Sequence, residues 1–402
     1  MILRARIVLP ICGPAIEDGA ILVTGDRIGQ VGKWSELKAA RTKVCDLGEV
    51  VLLPGLVNAH CHLDYSNLKI PRAKKSFTDW VRTIIRRKNE WAVDDYRESW
   101  MRGARMLEKT GTTTVGDIEA VPELLPSVWR ETRLRVYSFL EMTGVASGLA
   151  PQQILADTIA KESKLKSSKN YTGLSPHALY STVPELLKLT AARAKKMRIT
   201  MHIAESEAEM QMYGRRTGEL FEWLSKFRDM SDCGGMTPVQ AVHRAGLLRP
   251  NFLAVHGNYL TRDDVQLLAK SGTSLVHCPS SHAYFGHRRF PYQQLARAGV
   301  NICLGTDSMA SMAGRELNMF TEMEQFARTY PSVSPVKILR MATHNGARAL
   351  GLLGAVGELR PGCFADFVAV PFRGKARDSH SAVLGTKRID GVFTGGKYRP
   401  VK

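Results

Sequence analysis

Hydrophobic residues change their spacing twice along this chain. Near the start, Ile7-Val8-Leu9-Pro10, Gly19-Ala20-Ile21-Leu22-Val23 and Ile28-Gly29-Gln30-Val31-Gly32 are short β-branched runs punctuated by glycine, the pattern of strands. Near the end, Phe364-Ala365-Asp366-Phe367-Val368-Ala369-Val370 and Asp390-Gly391-Val392-Phe393-Thr394 repeat it. Between them, short apolar runs alternate with longer amphipathic stretches, such as Trp100 to Lys109 and Pro184 to Arg198, as repeated βα units require. Eight candidate strands end near His60, Asp117, Glu141, His177, Glu205, His256, His277 and Asp307. Each ends on a titratable side chain, and a (β/α)8 barrel carries its active site at the C-terminal ends of its strands. The expected architecture is α/β: a TIM-like (β/α)8 barrel over residues 53–355, and a small composite β-sandwich domain from residues 1–52 and 356–402.

Composition narrows the classes. The chain has 402 residues, 44% of them hydrophobic, which suits a large domain plus a small one with real cores. No stretch of about 18 uninterrupted apolar residues is present, so no membrane span is expected. The opening Met1-Ile2-Leu3-Arg4-Ala5-Arg6 is too broken by charge for a signal peptide. Seven cysteines form no CxxC pair, and an odd number cannot all pair within the chain, so reduced thiols in a cytoplasm are expected. The net charge of +18 raises the question of a nucleic-acid partner, but the basic residues are scattered rather than gathered into one tail or patch. A solvated basic surface is the favoured reading, and its field would draw an anionic substrate toward a cleft.

Candidate chemistry begins at Leu53-Pro54-Gly55-Leu56-Val57-Asn58-Ala59-His60-Cys61-His62, a strand closing in His-x-His. Side chains two apart on a strand face the same way, so His60 and His62 can reach one ion, while Cys61 points to the opposite face. Alone the motif is weak. Further on, Thr200 to Glu205 places His202 at a strand end with Glu205 three residues later, Leu253 to Gly257 places His256, and Ile302 to Ser308 ends an apolar run in Asp307. A bare buried Asp would cost several kcal/mol, so Asp307 needs a metal, hydrogen bonds or a helix to cap. Three histidines with one Asp and one Glu at strand ends favour a metal site, and imidazole suits Zn(II) or Fe(II).

Taken in order, the runs at 54–62, 111–117, 175–181, 202–206, 256–257, 277–281 and 305–308 resemble the amidohydrolase superfamily. Within it they are similar to the cytosine/guanine/S-adenosylhomocysteine deaminase and chlorohydrolase branch. The resemblance covers nearly the whole chain, including the closing Gly357 to Asp366. It implies a metal-dependent hydrolase barrel with one divalent ion, Zn(II) first and Fe(II) second, held by His60, His62, His202 and Asp307. It implies Glu205 as the proton shuttle, with His256 and Asp307 acting on the attacking water, and His177 as a substrate contact. No strand-end lysine is present that would be carbamylated to bridge two metals. The implied activity is hydrolytic deamination of a purine-like amino-heterocycle or adenine nucleoside, with release of ammonia. A small-molecule substrate and a homodimer go with it.

The first βα loop carries Asp64 and Ser66, which can bind polar groups or form a local turn, and Phe77 and Trp80, which can stack on a flat ring. The spacing of Phe77, Trp80, Val81 and Ile84 equally fits a helix buried in the core. After His277-Cys278-Pro279-Ser280-Ser281, the family pattern has Asn where this chain has His282, a candidate substrate contact, followed by Tyr284 and His287. His277 faces either the pocket or the core. His344-Asn345-Gly346-Ala347 reads as a helix start. The run at 62–67 resembles that of aminodeoxyfutalosine deaminases, whose substrate is an adenine nucleoside with a carboxylate-bearing group. Competing readings are a chlorohydrolase or triazine-type hydrolase, a cyclic-amide hydrolase, a non-catalytic barrel, which would be expected to lose a ligand or Glu205, and a nucleic-acid binder.

Overall fold

The computed structural model describes the chain except residues 39–41, 69, 71–75, 146, 194, 196 and 402. Five strands come first: β1 (Ile2–Val8), β2 (Ile16–Thr24), β3 (Arg27–Lys33), β4 (Val44–Asp46) and β5 (Val50–Pro54). Eight follow, separated by helices: β6 (Leu56–Cys61), β7 (Thr112–Glu119), β8 (Arg135–Met142), β9 (Tyr171–Pro176), β10 (Ile199–Ile203), β11 (Phe252–His256), β12 (Ser274–His277) and β13 (Ile302–Leu304). The last three are β14 (Phe367–Pro371), β15 (Gly391–Thr394) and β16 (Lys397–Pro400).

The middle eight pair in sequence order, every neighbour parallel, from β6 to β13. The ring closes through the segment after β13: Thr306 N donates to His60 O at 3.1 Å, Asp307 N to the same oxygen at 3.2 Å, and His62 N to Asp307 O at 3.2 Å. Asn58 stitches this seam, its amide donating to Thr306 Oγ1 at 2.8 Å and its carbonyl accepting from Thr306 N at 3.1 Å. This is the TIM-like barrel expected from the alternating pattern.

The flanking strands from both ends form one hydrogen-bonded sheet, in the order β16-β15-β14-β5-β1-β2-β3, with β4 beside β1. Its central strands are apolar on both faces for a definite reason. Val50 and Leu52 of β5, with Phe367 and Ala369 of β14, pack in the small core with Leu3, Ile21, Ile28 and Phe393. The alternate residues, Val51, Leu53, Val368 and Val370, pack instead in the barrel's large cluster. Strand periodicity of two thus lets one sheet serve two cores. A buried ion pair crosses the boundary: Arg135, first residue of β8, reaches Asp366 at 2.7 Å, with its guanidinium 3.3 Å from the Phe364 ring centre.

The stretch from Trp100 to Lys109 lies in the helix Val93–Lys109, which buries Trp100, Met101, Ala104 and Leu107. The second expected helix is shorter than its pattern: it spans Pro184–Arg193, because the chain must turn back before Ile199 pairs with β11. Residues 194 and 196 of that stretch lie outside the described residues. His344 opens the helix His344–Ala349, as its motif suggested. Among the described residues all seven cysteines are free, and no helix is long and apolar enough to cross a membrane.

Candidate metal centre and active site

His60 and His62 leave β6 on the same side, as alternation requires, and His202 leaves β10 across the barrel mouth. The Nε2 atoms of His62 and His202 stand 3.2 Å apart. Two ligands about 2.0–2.1 Å from a tetrahedral ion are separated by about 3.3 Å, so this spacing suits a shared metal. The donor atoms of His60, His62 and His202 all lie within 4.8 Å of one another, as do those of His60, His256 and Asp307. Asp307 Oδ1 is 3.6 Å from His60 Nε2 and 3.9 Å from His62 Nε2, beyond hydrogen-bond reach. His60 Nε2 is buried with no partner. A buried polar atom of this kind is costly unless a partner such as an ion meets it.

The surrounding groups aim the donors. His202 Nδ1 lies 2.8 Å from the His177 carbonyl, so it carries the proton and leaves Nε2 as a lone pair. Asp307 Oδ2 accepts from Ser281 and Ser311, each at 2.7 Å, which turns Oδ1 toward the histidines. Burial, followed by repulsion among the imidazoles, holds His62 and His202 well below the ordinary histidine range. They are therefore neutral at physiological pH, the state coordination needs. Burial opposes charge on Asp307, but the neighbouring His60, His256 and His62 outweigh it and hold the carboxyl well below its usual range. Three imidazoles and one carboxylate fit a single divalent ion such as Zn(II).

Glu205 and His256 flank this set, with Glu205 Oε1 3.5 Å from His256 Nε2. Burial, with Asp307 and Glu209 adding to it, lifts the Glu205 carboxyl well above its normal range, while burial pushes His256 down. His256 Nε2 has no hydrogen-bond partner. Backbone strain concentrates here. Ala204, His256 and Asp307 have φ of 49°, 73° and 58°, in the left-handed region that non-glycine residues rarely enter. The strain turns the chain sharply off three strand ends, so Glu205, His256 and Asp307 project over the barrel mouth.

His177 lies beside this group, its ring 4.6 Å from that of His202 and its Nδ1 2.8 Å from Ser181 Oγ. Burial, then the nearby Lys88 and His60, push it down to about 3. Asp64, expected to face substrate, is buried and holds Lys88 Nζ at 2.9 Å. Trp80 donates to the Ala310 carbonyl at 3.0 Å and packs edge-on to Phe285, with Phe77 also against Phe285, so both rings join an aromatic wall. His282 faces the Asn258 amide oxygen at 3.0 Å. His277 is buried, with its ring stacked flat on Phe290 at 4.0 Å and 5.2 Å from that of His282. Asp117 is structural: it accepts from Leu63 N at 3.0 Å and Trp100 Nε1 at 2.8 Å.

Lys88 beside Asp64 and Glu141 beside His177 escaped the sequence reading. Arg86-Arg87-Lys88 looks like a solvated charge run. The available signal was Lys88 standing four residues after the buried Ile84, hence on the same helix face.

The amidohydrolase family profile matches residues 51–399, and the chain belongs to that family. A 5-methylthioadenosine/S-adenosylhomocysteine deaminase of Moorella thermoacetica is 30% identical over 382 residues, covering 91% of this chain and 84% of that protein. The structure of Helicobacter pylori aminofutalosine deaminase in complex with methylthio-coformycin superposes with a TM-score of 0.87 at 20% identity, covering 99% of each chain. A Xanthomonas campestris adenosine deaminase with bound zinc gives 0.84 at 23%, covering 100% of this chain and 92% of that one.

Proposed function

We propose that this protein hydrolytically deaminates an adenine nucleoside, with one divalent ion, Zn(II) first, held by His60, His62, His202 and Asp307. The observation that carries the reading is the Glu205–His256 pair, 3.5 Å apart, beside that four-donor set. The bound ion would supply a water whose pKa is lowered toward neutrality. The residues themselves divide the proton work. His256 is neutral and Asp307 ionised, so both can accept a proton from the attacking water. Glu205, protonated by virtue of its raised pKa, donates to the ring nitrogen next to the carbon under attack. Water oxygen bonds to that carbon, the carbon–amino bond breaks, and the departing nitrogen leaves as ammonia with a proton returned through the same groups. His177, held by Ser181, is a hydrogen-bonding group for the ring. A Glu at the shuttle position suits an amine, a poor leaving group that needs protonation, better than chloride.

The test is ammonia release by zinc-loaded protein from adenosine, methylthioadenosine, S-adenosylhomocysteine, aminodeoxyfutalosine, guanine and cytosine. Turnover of an adenine nucleoside is expected. Glu205→Gln should retain its zinc and lose about 10²–10⁴-fold in kcat. Silence on every adenine nucleoside, or full activity in Glu205→Gln, would overturn the reading.

A further inference from the structure

Glu141 occupies the end of β8, with Oε1 3.8 Å from His177 Nε2. The proposed ligand side chains are nearly sealed, His60 at 1% and Asp307 at 6% exposed, whereas the side chains of His177 and Glu141 are 18% and 13% exposed. These two therefore stand at the open edge of the site. His177 contacts both His202 and Glu141, so a ligand held at His177 comes within reach of Glu141.

The carboxylate there is unused. Among the described residues no donor makes a hydrogen bond to Glu141. The nearby cation is already committed: Lys88 Nζ pairs with Asp64 at 2.9 Å and sits 4.3 Å from the Tyr65 ring centre. Glu119, the next acid along this wall, is fully buried and accepts from Val121 N at 2.7 Å. Among the described residues Glu141 thus offers two oxygens that meet no donor; burial raises its carboxyl and the nearby Lys88 counters that, so its oxygens are acceptors when ionised. Whatever it binds must bring donors. Hydroxyls on adjacent carbons match the two oxygens of one carboxylate, and a ribosyl group carries such a pair.

We propose that Glu141 is a specificity-determining residue that accepts hydrogen bonds from the vicinal hydroxyls of the substrate's sugar, a role that rests on the nucleoside deaminase reading above. The experiment compares kcat/KM for adenosine and 2′,3′-dideoxyadenosine in wild type, Glu141→Leu and Glu141→Gln, with zinc content measured for each. Hydrogen bonds to a charged group predict a wild-type preference for adenosine of about ten- to a hundredfold. Glu141→Leu should abolish that preference by losing activity on adenosine, chiefly through KM, with little change on the dideoxy compound. The isosteric Glu141→Gln, which keeps one acceptor, should fall between and covers the case of a poorly folded Leu variant. A merely structural role would lower both substrates together and keep the ratio. An unchanged ratio in both variants overturns the proposal, as does a wild type that turns over both compounds equally, and either result leaves the deaminase reading standing. A wild type inactive on all adenine nucleosides removes both.

Discussion

Gly305 is where barrel closure and metal geometry meet, and Gly305→Ala should damage both. A Cβ built there would stand 2.8 Å from His60 O, 2.9 Å from Val276 Cγ1 and 3.0 Å from His60 Cβ. Ordinary carbon contacts are about 3.5–4.0 Å, so the segment after β13 must retreat by roughly 0.7–1 Å. It has little freedom to do so, because Gly305 N is bonded to His277 O, and Thr306 N and Asp307 N to His60 O. Retreat lengthens those bonds and carries Asp307 away from His60. Overpacking of this kind costs about 1–3 kcal/mol of stability, and disturbing the support of metal ligands costs about 10–100-fold in affinity. Urea unfolding of metal-free protein and a competitive zinc titration would read the two effects. Gly214→Ala is the control: in the helix Glu207–Arg215 its new Cβ meets nothing within 4 Å, and about 0.5–1 kcal/mol of added stability is expected. Wild-type zinc affinity and unfolding midpoint in Gly305→Ala would refute the claim that this close approach sets the ligand geometry.

Other perturbations follow from the same structure. Arg135→Met should cost about 3–5 kcal/mol in denaturant unfolding, because it leaves Asp366 buried without its partner; a loss under 1 kcal/mol would mean that the pair does not bind the sheet to the barrel. Burial pushes the Glu322 carboxyl up to about 8, so the folded chain holds a proton that the unfolded chain releases above its ordinary value of about 4.5. That group's contribution to stability falls as pH rises from about 4.5 to 8, and Glu322→Gln should remove this slope in unfolding measured at pH 5 and 8. Zinc at about a hundred times its Kd should stabilise the metal-free chain by about 2.7 kcal/mol, a shift visible in thermal melts that His202→Ala should lose.

Much of the site was legible because strand ends are local features. His-x-His on one strand, and His202, His256 and Asp307 at the ends of others, need only a period of two and a parallel barrel to converge. The substrate wall was less legible. Asp64 reads as a free carboxylate until Lys88, twenty-four residues on, is seen beside it. Trp80 and Phe77 satisfied both a stacking and a packing interpretation, and only their contacts with Phe285 and Ala310 show what they pack against. That His277 stacks on Phe290 was likewise not readable from its motif.

The sequence by itself determined the alternation of strand and helix, the association of the two ends, and which histidines and carboxylates gather at the strand ends. Each of these depends on residue type and short-range periodicity, which a chain carries without its fold. Tertiary structure alone decided which charges are spent and which are free. Lys88 is neutralised by Asp64, Asp117 is occupied by Leu63 and Trp100, and Glu141 meets no donor among the described residues. The reason is physical: whether a buried polar group is satisfied depends on partners distant in sequence, and only the folded chain brings them within hydrogen-bond range.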